Sequence, residues 1–326
     1  MKKSVAIVGC GGWGKNLARN LHELGALACI VDPSPQAQSL ASQFGLPHFA
    51  TVDAILSDLG IKAVVIATPA STHYDIASIV LKAGKDVYLE KPISLSVKDG
   101  IALEAQASTM GLILMVGHLL HYHPVYLTLK RLIHEGRIGT VRHITSSRLN
   151  LGLLRHEENV LWSFSPHDIS MVLGIIEDSS CQVSAVGSDF FQPGIVDVCT
   201  MHLRFRNGCT ADIRASWFNP EKVQKLVVVG SEAIAVFSDT ATWEEKLVIH
   251  DYVVEWDGQR PRIVRGNAVA MAVPFGEPLK AEMQHFLDCI ASRATPRTDA
   301  AEAIRVLSVL QAGQASLDGQ GDWINV

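Results

Sequence analysis

The feature that most constrains this chain is a glycine turn near its start, Gly9-Cys10-Gly11-Gly12-Trp13-Gly14, directly after the apolar run Val5–Val8. The first glycine permits a tight turn, the second lets backbone amides approach a diphosphate, and the third lets a helix pack closely on the strand. A helix that begins there also directs free amides and the positive end of its dipole at an anion. The spacing therefore predicts a dinucleotide site at Gly9, Gly11, Gly12, Trp13 and Gly14, although glycine-rich turns also occur for backbone reasons alone.

A carboxylate follows the second apolar run. Asp32 directly follows the segment Ala28–Val31. In a dinucleotide-binding strand–turn–helix–strand unit, the side chain at the end of the second strand meets the adenosine ribose. A carboxylate accepts hydrogen bonds from both ribose hydroxyls and repels a 2′-phosphate, which predicts NAD rather than NADP. The alternative is that Asp32 only caps the helix after Pro33.

The apolar runs continue through the first third of the chain, at Ala63–Ala67, Asp86–Leu89 and Leu112–Val116. Continuous runs suit parallel strands covered on both faces, and the stretches between them are long enough for crossover helices. The pattern predicts an α/β fold, with a Rossmann-type doubly wound parallel sheet over residues 1–119 as the NAD-binding domain.

Beyond residue 118 the pattern changes. Helices are expected at Val125–Glu135, after a Pro166-His167-Asp168 turn, and in two amphipathic segments over 279–292 and 299–316. Strand candidates lie between residues 140 and 237, two of them separated by the hairpin signal Asn207-Gly208. Residues 120–326 are therefore expected to form an α+β domain with an open, mostly antiparallel sheet that binds substrate and mediates oligomerisation.

Composition excludes several classes of protein. A chain of 326 residues favours two domains, and a net charge of −5 gives no reason to expect nucleic acid or an anionic membrane as a partner. No apolar segment is long enough for a signal peptide or a bilayer span. Six scattered cysteines with no CxxC pair indicate a reduced, cytoplasmic protein.

Further polar residues follow the later strands, at the sheet edge where open α/β folds bind ligands. Thr68, Pro69 and His73 come after the third predicted strand, and Glu90-Lys91-Pro92 follows the fourth. A turn with a helix cap accounts equally well for the first group, whereas Lys91 is placed to reach a substrate beside the cofactor. No metal site is predicted, because His118, His121 and His123 are irregularly placed without a cysteine or carboxylate cluster; His118 is instead expected to line the cleft.

Together these motifs resemble the glucose–fructose oxidoreductase and inositol dehydrogenase (Gfo/Idh/MocA) superfamily. The resemblance includes His167 and the closing segment from Glu282 to Ile290, and it covers essentially the whole chain. It implies that Lys91 and His167 flank the oxidised carbinol, one of them taking its proton while hydride passes to NAD; which one is the base stays open. Many members carry Asp four residues before this histidine, whereas this chain has Ser163, a hydroxyl without that charge.

The segment 147–168 resembles members that oxidise the 3-hydroxyl of UDP-N-acetylglucosamine ahead of an aminotransferase in lipopolysaccharide (lipid A) synthesis. The resemblance implies a homo-oligomer, a dimer or tetramer, and substrate contacts by His118 and Lys91 together with Arg148, Asn150, Arg155, Asn159, Trp162, Ser163 and His167. The arginines would meet the diphosphate, the asparagines the sugar hydroxyls and the tryptophan a ring face. The alternative substrates are the glucuronate form of that sugar and a free sugar or inositol. The segment itself could instead be a solvated polar loop. The alternative function for the whole protein is a non-catalytic dinucleotide-sensing regulator. Lys91 and His167 argue against the regulator.

Overall fold

The computed structural model describes residues 3–152, 154–176 and 180–326. These residues divide into two compact units, the first comprising Met1–Tyr122 with Glu277–Leu307 and the second His123–Gly276 with Ser308–Val326. The helices are α1 (Gly14–Glu23), α2 (Pro35–Phe44), α3 (Asp53–Leu56), α4 (His73–Lys82), α5 (Val97–Thr109), α6 (Pro124–His134), α7 (Val160–Ile175), α8 (Pro278–Ser292) and α9 (Ala300–Asp318). The strands are β1 (Val5–Val8), β2 (Leu27–Val31), β3 (His48–Phe49), β4 (Ala63–Ile66), β5 (Asp86–Leu89), β6 (Leu114–Val116), β7 (Val141–Leu151), β8 (Cys181–Ser188), β9 (Val198–Phe205), β10 (Thr210–Ser216), β11 (Phe218–Gly230), β12 (Ala233–Ser238), β13 (Leu247–Asp257), β14 (Arg260–Ala270) and β15 (Ile324–Asn325).

The first unit contains a six-stranded parallel sheet in the order β3-β2-β1-β4-β5-β6. Its strands β1, β4 and β5 are buried along their whole length, as their apolar runs predict, and β5 begins with a buried Asp86. The strand order reverses between β1 and β4, which creates the crevice at the carboxyl ends where such sheets bind ligands. The predicted doubly wound sheet is confirmed; β3, only two residues long, is too short to leave a sequence pattern.

Helix α8 belongs to the first unit although it lies late in the sequence. Its residues Met283 and Phe286 are fully buried, and the Phe286 ring meets the edge of Tyr88 of β5 with centroids 5.8 Å apart. The amide of Val116 in β6 also donates to the carbonyl of Thr298. The observed division thus differs from the expected boundary at residues 119 and 120, because the apolar face of α8 packs against the parallel sheet.

The second unit contains a nine-stranded sheet in the order β14-β13-β12-β11-β7-β10-β9-β8-β15. Strands β7 and β10 pair in parallel, and the other described strand pairs of this nine-stranded sheet are antiparallel. The Asn207-Gly208 turn joins β9 and β10 as expected, with Gly208 at φ +83°. The mostly antiparallel α+β architecture is confirmed. The long hairpin of β13 and β14 was not anticipated, since most of it is solvent-exposed and lacks a clear alternating pattern.

One helix prediction is wrong. Helix α7 does not follow the Pro166-His167-Asp168 segment but contains it, starting at Val160. The Asn159 side chain caps the helix by accepting from the amide of Trp162, and buried apolar residues on both sides of Pro166 hold the helix together. Pro166 removes one backbone hydrogen bond, a loss that this packing tolerates. Within the described ranges, no helix has the length and apolarity that crossing a bilayer requires.

We expect Phe286→Ala to lower the free energy of unfolding by about 3–5 kcal/mol, because a fully buried aromatic ring is lost and a cavity remains. Urea unfolding followed by circular dichroism measures the loss. The matched control, Phe190→Ala, removes a ring that is 63% exposed and should change stability by less than about 0.5 kcal/mol. Equal effects of the two changes would contradict the assignment of α8 to the core of the first unit.

Candidate active site

The glycine turn has two kinds of glycine position. Gly9 adopts φ +87°, and a Cβ on it would lie 2.7 Å from the backbone carbonyl carbon of Ala67. A Cβ on Gly14 would lie 2.2 Å from the carbonyl oxygen of Gly9, so the start of α1 packs directly on the turn. Around Gly11 and Gly12, by contrast, a Cβ would meet nothing within 4 Å. The first two positions therefore serve packing, while the second two leave open space against backbone amides, as a diphosphate requires.

Asp32 is held at the end of β2 by backbone donors. Its carboxylate accepts the amide of Cys10 at 2.7 Å and that of Ser34 at 2.8 Å. Burial alone would raise the pKa of Asp32, but the hydrogen bonds from Ser34 and Cys10 outweigh burial and lower the pKa below its ordinary value. The residue is therefore an anion fixed beside the glycine turn, with acceptor capacity left for ribose hydroxyls.

A cleft of about 580 Å³ opens between these groups in the first unit. It is lined by Val8, Gly9, Gly11, Val31, Asp32, Pro33, Ala50, Val52, Ala67, Thr68, Pro69, Thr72 and Ile76. Apolar walls suit an adenine ring, the carboxylate suits its ribose, and the open amides at Gly11 suit a diphosphate. The side chains and glycines present therefore fit NAD.

His73 lies beneath this cleft rather than on its wall. The ring is 1% exposed, and its Nε2 and Nδ1 atoms lie 2.9 and 2.7 Å from the carbonyl oxygens of Thr68 and Pro92. Burial lowers the pKa of His73, so the neutral ring donates to one of these carbonyls at a time. The structure thus places His73 as a link between the turn after β4 and the turn after β5.

Glu90 joins the glycine turn to the lysine segment. Its Oε1 accepts from the Trp13 indole at 2.7 Å and from the Tyr88 hydroxyl at 3.1 Å, and its Oε2 accepts from the Lys91 amide at 3.3 Å. Burial raises the pKa of Glu90, an effect opposed by the Trp13 hydrogen bond and by the charge of Lys91. Lys91 itself is partly buried and precedes a cis peptide bond to Pro92. Trp13, Glu90 and Lys91 are thus brought together.

The histidines after β6 are paired with acidic side chains. His118 is buried and its Nδ1 hydrogen-bonds Glu302 of α9, whose other oxygen lies 3.6 Å from Nε2 of His121. His123, in the second unit, lies 3.5 Å from Asp239. Among the described residues, no group of three His, Cys, Asp or Glu side chains is arranged to hold a metal ion. Sequence reasoning missed Glu302, because no local pattern links it to a histidine so distant in the chain.

In the second unit, His167 and Ser163 lie one turn apart on α7. The neighbouring Asp168 is 1% exposed and accepts from Ser146 Oγ at 2.5 Å and from Arg148 Nε at 2.7 Å. The charge of Arg148, expected to meet a diphosphate, is therefore offset by a buried carboxylate. Asp168 was not expected to have a site role, and the structure shows it as the internal partner of this arginine.

Asn159, Trp162 and Arg155 of the predicted substrate segment also contact other side chains of the second unit. Asn159 Nδ2 and the Trp162 indole donate to the same oxygen of Gln314 in α9, at 2.8 and 3.0 Å. Arg155 forms an exposed ion pair with Glu158 at 2.8 Å. Asn150 lies near the end of β7, half-buried. Gln314 gave no sequence signal, because it lies in a helix far along the chain.

We expect Asp32→Asn to shift cofactor preference toward NADP. The amide keeps the size and one acceptor oxygen of the carboxylate but removes the charge that repels a 2′-phosphate. Titration with each cofactor should show a fall in the NAD-to-NADP affinity ratio of about tenfold, equivalent to about 1.4 kcal/mol. The control Asp257→Asn, on the exposed tip of β13, should leave the ratio unchanged. An unchanged ratio in Asp32→Asn would contradict the ribose assignment.

We expect Arg148→Gln to destabilise the protein by about 3 kcal/mol, because Asp168 is left buried without its cationic partner. Urea unfolding measures the loss. Arg155→Gln is the matched control, since its exposed pair with Glu158 is worth less than about 1 kcal/mol. Similar stability of the two variants would show that the Arg148–Asp168 pair does not stabilise the second unit.

Sequence profiles of two domains match most of the chain. The profile described as an oxidoreductase family with an NAD-binding Rossmann fold matches residues 3–118, and the GFO/IDH/MocA C-terminal domain profile matches residues 126–236. The first match coincides with the parallel sheet and the glycine turn, and the second starts within α6 and ends within β12.

Individual relatives match most of the chain in sequence. Scyllo-inositol 2-dehydrogenase (NAD(+)) of Bacillus subtilis is 27% identical over 89% of this chain and 87% of its own. A 2,7-anhydro-N-acetylneuraminate hydratase of Mediterraneibacter gnavus is 32% identical over 84% of this chain and 79% of its own. UDP-N-acetylglucosamine 3-dehydrogenase of Acidithiobacillus ferrooxidans is 26% identical over 93% of both chains, and its solved structure superposes with a TM-score of 0.84 at 24% identity, covering 97% of this chain and 98% of that one.

The glycine turn, Asp32 and the Glu90-Lys91 segment all lie within the part of the chain that the NAD-binding profile matches. NAD is the cofactor of this protein. The chain belongs to the Gfo/Idh/MocA family of NAD-binding oxidoreductases.

Proposed function

We propose that this protein oxidises a secondary hydroxyl of a sugar to a ketone, and that its substrate is UDP-N-acetylglucosamine, oxidised at the 3-hydroxyl. The observation that carries the reaction class is the Glu90 carboxylate, which bonds both the Trp13 indole of the cofactor turn and the Lys91 amide. That contact supports Lys91 as a proton acceptor beside NAD. The choice of sugar rests on the similarity over 93% of both chains to a UDP-N-acetylglucosamine 3-dehydrogenase and on the resemblance of segment 147–168.

The proposed reaction divides between proton and hydride. NAD, when bound, accepts the hydride from the carbon that bears the hydroxyl. Lys91 or His167 accepts the hydroxyl proton as the ketone forms, and the other side chain orients the oxygen. Ser163, one turn before His167 on α7, supplies a hydroxyl where many family members have a carboxylate. The protein's own contribution is to hold the Lys91 segment through Glu90 and to supply the proton acceptor.

A free sugar or cyclitol is the second candidate substrate. Arg148 is paired with buried Asp168, and Arg155 with Glu158, so the charge that a diphosphate would meet is already partly offset. A relative named as a scyllo-inositol 2-dehydrogenase also matches this chain at 27% identity. These observations support a substrate without a diphosphate as the second candidate.

We further propose that the 3-keto sugar feeds an aminotransferase in the lipid A branch of lipopolysaccharide synthesis and that the protein works in the cytoplasm as a homo-oligomer. The support is the same resemblance of segment 147–168, together with the negative net charge and the buried cysteines, which suit a reducing compartment.

The substrate assignment predicts NADH formation, followed by absorbance, when the purified protein is mixed with NAD and UDP-N-acetylglucosamine. The glucuronate form of the UDP-sugar, free N-acetylglucosamine, myo-inositol and scyllo-inositol complete the panel. Turnover with the free compounds alone would replace the first candidate by the second. Binding of NAD without turnover of any sugar would support a sensing regulator instead.

We expect Lys91→Met and His167→Asn each to lower kcat by about 10²- to 10⁴-fold, the range for loss of a general acid or base. Single-turnover formation of NADH isolates this step from product release. The control Lys98→Met changes an exposed lysine of α5 and should keep full activity. Unchanged turnover in Lys91→Met would remove Lys91 from the reaction.

A further inference from the structure

A second carboxyl group lies close to Glu90, and the proposed reaction does not use it. Glu282 of α8 is 0% exposed, and neither of its carboxyl oxygens makes a hydrogen bond of standard geometry. Burial raises the pKa of Tyr88 in β5, and the nearby charges of Glu282 and then of Glu90, which directly follows β5, raise it further. A buried polar group without a partner is costly, so its presence requires an explanation.

The charges around Glu282 come from three elements packed together in the first unit. Strand β5 supplies Tyr88, the turn after it supplies Glu90 and Lys91, and the segment after β6 supplies Tyr122. Beside Tyr122 lie Cys289 of α8 and the Arg297 guanidinium, which stacks over the Tyr122 ring at 5.0 Å. No cation among the described residues hydrogen-bonds Glu282. Burial, reinforced by the charge of Glu90, raises the pKa of Glu282 well above its ordinary range.

The donors identify which of the two carboxyl groups is ionised. Glu90 accepts from the Trp13 indole, the Tyr88 hydroxyl and the Lys91 amide, an arrangement of donors that stabilises a carboxylate. Two carboxyl groups in such proximity do not both ionise near neutral pH. The negative charge therefore belongs to Glu90 and the proton to Glu282.

The Tyr88 hydroxyl lies between them and has one hydrogen. Because that hydrogen is donated to Glu90, the hydroxyl oxygen can only accept from another neighbour. A protonated Glu282 is the donor that suits it, and the polarity of each hydrogen bond then strengthens the next.

We propose that Glu282 is a buried carboxylic acid that donates to the Tyr88 hydroxyl and thereby holds Glu90 as the joint acceptor for Trp13 and Lys91. Glu282 is a positioning residue: it touches neither substrate nor cofactor, and it acts on the glycine turn and on the lysine through Glu90. An effect of Glu282 on turnover through Lys91 rests on the proposed dehydrogenase function. The proton on Glu282 and the effect of Glu282 on the glycine turn do not rest on it.

Two substitutions of similar size separate a donor from a space-filling side chain. Glu282→Gln keeps a hydrogen-bond donor in neutral form, and Glu282→Met fills the space without one. We expect Glu282→Gln to bind NAD within about twofold of the parent affinity. Glu282→Met should bind NAD about 3- to 10-fold more weakly, which is the effect of losing one net hydrogen bond. Glu255→Gln, an exposed change in β13, is the control. NAD affinity in Glu282→Met equal to the parent value would overturn the positioning role.

The proton itself is observed by infrared difference spectroscopy of the intact protein. The parent should show a protonated-carboxyl stretching band that Glu282→Gln lacks and Glu255→Gln retains; persistence of the band in Glu282→Gln would overturn the proposal. Where either Glu282 variant fails to fold, Tyr88→Phe removes the linking oxygen alone and should weaken NAD binding by the same 3- to 10-fold. Unchanged NAD binding in Tyr88→Phe would also overturn the proposal. None of these measurements needs a sugar, so failure to turn over any sugar would count against the proposed function alone.

The pH dependence of stability gives an independent readout. Above the unfolded-state pKa of a glutamate, the native protein keeps a proton on Glu282 that the unfolded chain releases. The unfolding temperature of the parent should therefore fall, relative to that of Glu282→Gln, as pH rises from about 5 toward the raised pKa. A constant difference between the two proteins across that range would mean that Glu282 is ionised in the native state.

Discussion

Backbone crowding where β1 meets β4 is the constraint on which the rest of the site depends. A side chain on Gly9 would collide with the backbone of Ala67, and one on Gly14 with the carbonyl of Gly9. Because both positions lack side chains, helix α1 starts directly against the turn. That close start places the Trp13 indole 2.7 Å from the Glu90 carboxylate, directly after β5. The close packing of Gly9 and Gly14 therefore positions the glycine turn and, through the Trp13–Glu90 hydrogen bond, the segment that contains Lys91.

Much of the first unit could be predicted from the sequence because its signals are local. The run Val5–Val8 is a strand over those same residues, and the glycine spacing and Asp32 follow from the geometry of one strand, one turn and one helix. Glu282 and Glu302 could not be predicted in this way. Each occupies a buried face of a late helix and meets residues of β5 or of the segment after β6, and such long-range contacts leave no periodic trace in the sequence.

The second unit shows why a polar segment that resembles a ligand site can have another purpose. Arg148 meets Asp168, and Asn159 and Trp162 meet Gln314, so the fold itself satisfies hydrogen-bonding groups that the resemblance assigned to a sugar nucleotide. Buried polar groups require partners, and here the partners come from α7 and from α9, the latter far along the chain. The resemblance identified which residues are distinctive, whereas only the structure shows what they contact.

The division of one proton between Glu90 and Glu282 also bears on the chemistry of Lys91. The charge of Lys91 helps to lower the pKa of Glu90 against the effect of burial, and by the same attraction an ionised Glu90 stabilises the protonated amine. A lysine that takes a proton from a hydroxyl must begin neutral and end charged, so a single nearby carboxylate favours the product side of that transfer. An ionised Glu282 would place a second negative charge near Glu90 and oppose the ionisation of Glu90. Keeping Glu282 protonated therefore leaves Glu90 as the ionised member of this pair, and Glu90 is the carboxyl group that contacts the Lys91 segment.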